Sequence, residues 1–160
     1  MGSGKSAVGH RLAEELKMDF LDTDELIEKT EERKISGIFR GEGEEHFREL
    51  ETEVLKTLQN YDNFVLSTGG GMVLREENVS LLKEIGRVIL LWAEPEVIYE
   101  RIKDETHRPL LQVKDPAEEI RKLLSYRRPF YEQGADFKID TAKKKIEQIA
   151  KEIIAWLKSK

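Results

Sequence analysis

Apolar positions along this chain alternate between two spacings. Val8, Leu12 and Leu16 recur at helical spacing after Ser6, and Phe47, Leu50, Val54, Leu55 and Leu58 repeat it over a longer stretch, so both segments are expected as amphipathic helices. Between and after them stand short apolar runs bounded by turn signals: Phe20-Leu21, Phe64-Val65-Leu66, Val88 to Trp92, and Phe137-Lys138-Ile139. Such runs read as buried strands. Pro95 after Glu94 suits the first turn of a helix through Val97, Ile98 and Ile102, and Pro116 opens another through Ile120, Leu123 and Leu124. A last helix uses Ile146, Ile149, Ile153, Ile154 and Leu157. This alternation predicts an α/β fold, a parallel sheet flanked by helices on both faces. No repeat, low-complexity tract or Pro/Gly/Ser linker divides residues 1–160, so a single domain is expected.

Composition narrows the function classes. With 27 basic and 32 acidic residues, a net charge of −5 and 39% hydrophobic residues, the chain has the make-up of an ordinary globular domain. Its Lys and Arg are spread along the sequence, so no broad basic footprint for nucleic acid is expected, and any anion must be gripped locally. The absence of cysteine excludes disulfides, thiolate metal sites and cysteine nucleophiles. The longest apolar run, Val88-Ile89-Leu90-Leu91-Trp92-Ala93, is far short of the ~20 residues of a membrane helix, so no membrane partner is expected. Met1 leads into Gly-Ser-Gly-Lys-Ser with no apolar secretory region, which favours the cytoplasm. His10, His46 and His107 form no ligand spacing and are expected on the surface.

Ligands of parallel sheets sit at the carboxyl ends of strands, so chemistry is sought at strand-to-helix turns. Gly2-Ser3-Gly4-Lys5-Ser6 is the last part of the phosphate loop G-x-x-x-x-G-K-[ST]. Backbone N–H groups from Gly2, Ser3, Gly4, Lys5, Ser6 and Ala7 can cradle phosphates, Lys5 can reach the β and γ phosphates, and Ser6 can ligate Mg²⁺. The competing reading is an appended Met-Gly-Ser, against which the sequence runs unbroken into an amphipathic helix. At the end of the Phe20-Leu21 strand stand Asp22 and Asp24, two carboxylates at i and i+2 that point the same way on an extended segment. One can serve Mg²⁺ while the other faces a second substrate as acceptor or base; alternatively Asp24 is only the N-cap of the helix holding Leu26 and Ile27. Gly69-Gly70-Gly71 follows the next strand, and bare backbone there can come close to a small ligand, a plain flexible loop being the alternative. Arg48, Arg101, Arg108, Arg127 and Arg128 supply candidate guanidinium contacts to carboxylate or phosphate oxygens. Residues 103–115, polar and containing His107-Arg108-Pro109, are expected as a mobile lid.

Together these pieces are specific. Gly2-Ser3-Gly4-Lys5-Ser6, Asp22-Thr23-Asp24, Phe47-Arg48-x-x-Glu51, Gly69-Gly70-Gly71, Arg108-Pro109-Leu110-Leu111 and Arg127-x-Pro129-x-Tyr131 resemble, in order and over essentially the whole chain, the shikimate kinases. These are P-loop enzymes with the fold of the nucleoside monophosphate kinases. The resemblance implies ATP-dependent phosphorylation of the 3-hydroxyl of shikimate with Mg²⁺, by a monomer. It implies Lys5 and Ser6 as phosphate and magnesium residues, Asp22 in the metal shell through water, and Asp24 as the acceptor for the shikimate hydroxyls and their proton. It also implies Arg48 and Arg127 as a carboxylate clamp, Gly69, Gly70 and Gly71 along the same pocket, Arg108 on the transferring phosphoryl group, and Arg101 against adenine. Glu51, one helical turn beyond Arg48, would orient it. A substrate-binding helical segment is thereby expected around residues 24–58.

In one respect the chain departs from the family pattern. The family's phosphate loop begins with a glycine two residues before the position of Met1, after a buried strand, and neither is in this sequence. The expectation is therefore a four-stranded parallel arrangement with a gap or a strained neighbour beside the phosphate loop. Two other classes stay open at this point: a gluconate kinase-like enzyme on the same scaffold, and a non-catalytic nucleotide-binding protein.

Overall fold

The structure, a computed structural model, describes residues 2–104 and 113–160. The expected Arg108, and most of the expected lid at 103–115, lie outside the described residues. The described residues of Met1–Lys5 and Ile89–Lys160 form one compact unit, and Ser6–Val88 form the other.

In the Ser6–Val88 unit, strands β1 (Asp19–Asp22) and β2 (Phe64–Ser67) pair in parallel, with Phe20 opposite Val65 and Leu21 opposite Leu66. Side chains alternate across a strand, so opposite residues share a face. Phe20 lies against His10 of helix α1 (Lys5–Leu16), their ring centroids 3.7 Å apart. Leu66, on the other face, joins a core of Leu55, Met72 and Leu82 from helix α4 (Gly43–Leu58), the short 3-10 turn Met72–Leu74 and helix α5 (Glu76–Ile85). Helices α2 (Thr23–Glu31) and α3 (Ile35–Gly41) close a smaller core with α4 through Ile27, Ile38 and Phe47.

In the other unit, β3 (Ile89–Trp92) and β4 (Phe137–Asp140) also pair in parallel, with Ile89 opposite Phe137 and Trp92 opposite Asp140. Leu90 and Trp92 pack with Ile98 and Ile102 of α6 (Pro95–Ile102) and Ile120 and Leu124 of α7 (Pro116–Gly134). On the opposite face Phe137 stacks on Trp156 of α8 (Ile146–Lys158), centroids 4.9 Å apart. Each strand pair is thus covered by helices on both faces, as the alternation of elements predicts.

The strand expectation is met in part. All four expected strands form and both pairings are parallel, but among the described residues the strands are hydrogen-bonded as two sheets of two, not as one sheet of four. Among the described residues no helix is long and apolar enough to cross a membrane.

Candidate active site

Parallel register in the Ser6–Val88 unit sets Asp22 opposite Ser67, so the turns that follow β1 and β2 leave the sheet side by side. The first turn differs from expectation. Asp22 is extended (φ −124°, ψ 127°), but helix α2 starts at Thr23, so Asp24 sits in a helical first turn and not on an extended segment. The Asp24 N–H donates to Asp22 Oδ1 at 2.9 Å, which makes Asp22, and not Asp24, the N-cap. The cause is the ordinary capping preference: a short carboxylate satisfies one of the N–H groups that a helix start leaves without an intrahelical partner.

Around the second turn the side chains converge. A Cβ built on Gly69 would stand 2.9 Å from Glu51 Oε1 and 3.0 Å from Asp24 Oδ1. One built on Gly71 would fall inside the Arg48 guanidinium. The glycine turn is therefore a wall of bare backbone lined by two carboxylates and one guanidinium. Arg48 Nη1 donates to Glu51 Oε2 at 2.7 Å and Nη2 to Glu44 Oε1 at 2.8 Å, so Glu51 orients Arg48 as the helical spacing predicts. The Arg48 side chain is 11% exposed and that of Glu51 0%. Burial works against the guanidinium charge, but the bonds to Glu51 and Glu44 outweigh it and hold the Arg48 pKa above its ordinary value. The result is a permanent cation at a fixed position, of a shape that matches a carboxylate.

Gly71→Ala tests this geometry. The new methyl must displace a guanidinium tied by two carboxylates, and overpacking of this kind costs about 1–3 kcal/mol. A lower melting temperature and weakened binding of a carboxylate-bearing acceptor are the expected results, read by calorimetry and titration.

Three participants are not foreseen from spacing. Thr23 Oγ1 accepts the Gly69 N–H at 3.0 Å, and Thr52 of α4 donates to Asn78 Oδ1 of α5 at 2.7 Å, while Asn78 Nδ2 donates to the Met72 carbonyl at 3.0 Å. All three side chains are buried. Their trace in the sequence is faint, a small polar residue at a buried helix position in each case: Thr23 in α2, Thr52 in α4 and Asn78 in α5.

In the other unit the chain enters α1 through Gly2 (φ +61°) and Gly4 (φ +86°), the left-handed conformations that favour glycine. A Cβ on Gly2 would meet the Ile98 and Ile102 side chains at 3.0 Å, whereas nothing lies within 4 Å of one on Gly4. Open space above a positive-φ glycine at a helix N-terminus, with Lys5 as the first helical residue, fits a phosphate group. Ser6 and Ala7, both exposed, follow Lys5 in the first turn of α1. Arg101 donates to the Gly2 carbonyl (Nη1, 3.2 Å), to Thr141 Oγ1 (Nη1, 3.1 Å) and to the Thr141 carbonyl (Nη2, 2.6 Å), and so ties the loop to the residue that follows β4. Arg127, on α7, has a buried Nε with no hydrogen-bond partner among the described residues, which suits an anionic oxygen brought by a ligand.

A helix entered through such a loop, and parallel strands whose carboxyl ends carry aspartates, a glycine turn and a fixed cation, define a P-loop phosphotransferase. The family model for shikimate kinase matches residues 1–158. A shikimate kinase of Thermodesulfovibrio yellowstonii is 47% identical over 154 residues, covering 96% of this chain and 88% of that protein. Among solved structures, a shikimate kinase from Acinetobacter baumannii in complex with shikimate superposes with a TM-score of 0.92 at 39% identity, covering 99% of this chain and 89% of the other. The Aquifex aeolicus shikimate kinase superposes with a TM-score of 0.85 at 42% identity, covering 99% and 92%. This chain belongs to the shikimate kinase family and is an ATP-dependent kinase.

Proposed function

We propose that this chain transfers the γ-phosphoryl group of ATP to the 3-hydroxyl of shikimate, as a monomer in the cytoplasm, with residues 24–58 carrying much of the acceptor site. One observation carries the assignment of residues: a buried, doubly anchored Arg48 and the Asp24 carboxylate meet the same bare glycine turn. An acceptor that uses both must bring a carboxylate for the cation and hydroxyls for the anion, which a plain sugar does not. Arg48 binds the shikimate carboxylate, Gly69, Gly70 and Gly71 line its path, and Asp24 orients the hydroxyls and takes the proton as the new P–O bond forms and ADP leaves. By the family pattern Arg127 would supply a second cation for a carboxylate; its Nε is buried with no hydrogen-bond partner among the described residues.

Lys5 neutralises charge on the transferring phosphate, and the backbone from Gly2 to Ala7 supports the phosphates. By the family pattern Arg108 meets the transferring phosphoryl group, and Arg101 lies against adenine. Magnesium supplies charge neutralisation to the phosphate oxygens. Ser6 and Asp22 would hold it through a hydroxyl and a carboxylate, the oxygen ligands this ion prefers.

Coupled ADP release provides the test. Turnover is expected only when ATP, Mg²⁺ and shikimate are all present, and chelation should abolish it. Equal turnover with gluconate would overturn the shikimate assignment.

A further inference from the structure

The glycine turn meets Arg48, Glu51 and Asp24 at close range, yet three successive glycines have more backbone freedom than any other tripeptide. Something must hold the turn at that distance. Within the turn the Gly69 and Gly71 carbonyls accept from the Met72 and Leu74 N–H groups at 3.3 and 3.1 Å, and two side-chain anchors tie it to the neighbouring helices, one at each end. At the entry, Thr23 Oγ1 accepts the Gly69 N–H at 3.0 Å, and Thr23 is 0% exposed. At the exit, Asn78, also 0% exposed, donates from Nδ2 to the Met72 carbonyl at 3.0 Å.

The amide orientation of Asn78 follows from that second contact. A flipped Asn78 would face one oxygen with another at Met72, so Oδ1 must point at Thr52. Thr52 has one hydroxyl proton and two acceptors in reach, Asn78 Oδ1 at 2.7 Å and the Arg48 carbonyl at 3.1 Å. The shorter bond takes the larger share. Thr52 stands one helical turn beyond Arg48 on α4, so the exit of the glycine turn is tied to the helix that carries the cation. Thr23 similarly ties the entry to the first turn of α2, which carries Asp24.

We infer that Thr23, Thr52 and Asn78 are positioning residues for acceptor binding, which set the distance of the glycine turn from Arg48 and Asp24 without touching the acceptor. The inference rests on the acceptor site proposed above. It separates two roles that burial alone would merge: a residue that only stabilises the fold alters melting, whereas a positioning residue alters acceptor affinity selectively.

Thr23→Val keeps the shape and removes the acceptor, leaving a backbone N–H without its partner. The expected result is a shikimate KM raised about ten-fold, with ATP affinity measured without shikimate unchanged, and Thr23→Ser restoring the wild-type KM. Thr52→Val probes the other anchor in the same way, and its KM decides between the two roles should Thr23→Val fail to fold. An unchanged shikimate KM, whatever the melting temperature, overturns the inference, as does an equal loss of ATP affinity. Arg48→Lys is measured in parallel: if it leaves the shikimate KM at the wild-type value, the acceptor site itself is misassigned, whereas a raised KM there with none in the threonine variants condemns only the positioning role.

Discussion

Replacing Arg48 with methionine should damage the protein in two separable ways. Methionine keeps an unbranched apolar stem but is shorter and uncharged, so Glu51, 0% exposed, loses the guanidinium at 2.7 Å. Breaking a buried ion pair by removing one partner typically costs about 3–5 kcal/mol, a large share of the roughly 5–15 kcal/mol of an ordinary domain. Arg48→Met should therefore melt well below the parent in calorimetry. It should also lose about one to two decades of shikimate affinity, the usual effect of deleting one charge-assisted contact. Pairing it with Glu51→Gln removes the stranded charge, so the double variant should recover most of the melting temperature but none of the shikimate affinity. Recovery of both would mean that Arg48 serves the fold alone.

Lys5→Ala is the counterpart at the phosphate end. Lys5 is the first residue of α1 and its charge is proposed to meet the transferring phosphate, where preorganised charge commonly contributes about two to three decades in rate. The expected outcome is a kcat lower by that amount with shikimate binding, measured by titration without nucleotide, unaltered. Arg127→Ala should show the opposite split, with the shikimate KM raised about one to two decades and a smaller change in kcat. If Arg127→Ala leaves that KM untouched, the Arg127 guanidinium serves something other than the acceptor.

Periodicity sufficed for the long elements because their apolar faces are regular: α1, α4, α6 and α8 and all four strands occur where the spacing places them. It fails where the signal is short or weak. Helix α3 spans seven residues, Ile35–Gly41, two of them glycines, and intrinsic preference alone would not form it; Ile38 docking with Ile27 and Phe47 does. Helix α5 carries Val79, Leu82 and Ile85 at helical spacing, so its signal was present but lay among charged residues that resemble a loop. In α7 the helix continues through Pro129, a residue that reads as a breaker. At the site, charged residues in a known pattern were legible, including the Arg48–Glu51 pair. The turn at Asp24 was not, because which of two aspartates caps a helix depends on where the backbone bends. Thr23, Thr52 and Asn78 were invisible for a related reason: their partners are backbone groups or residues far away in sequence.

The wall formed by Gly69 and Gly71 has a consequence for inhibition. An inhibitor that packs against side chains can be escaped by exchanging them, but one that leans on this turn meets main-chain atoms, which no codon change removes. Nor can the surface be roughened by adding a side chain. Any Cβ at Gly69 would press on Glu51 and Asp24, and any at Gly71 on Arg48, so the change that expels the inhibitor would disturb the groups proposed to hold the natural acceptor. Resistance arising at these two positions should therefore carry a growth defect wherever the enzyme's product is required.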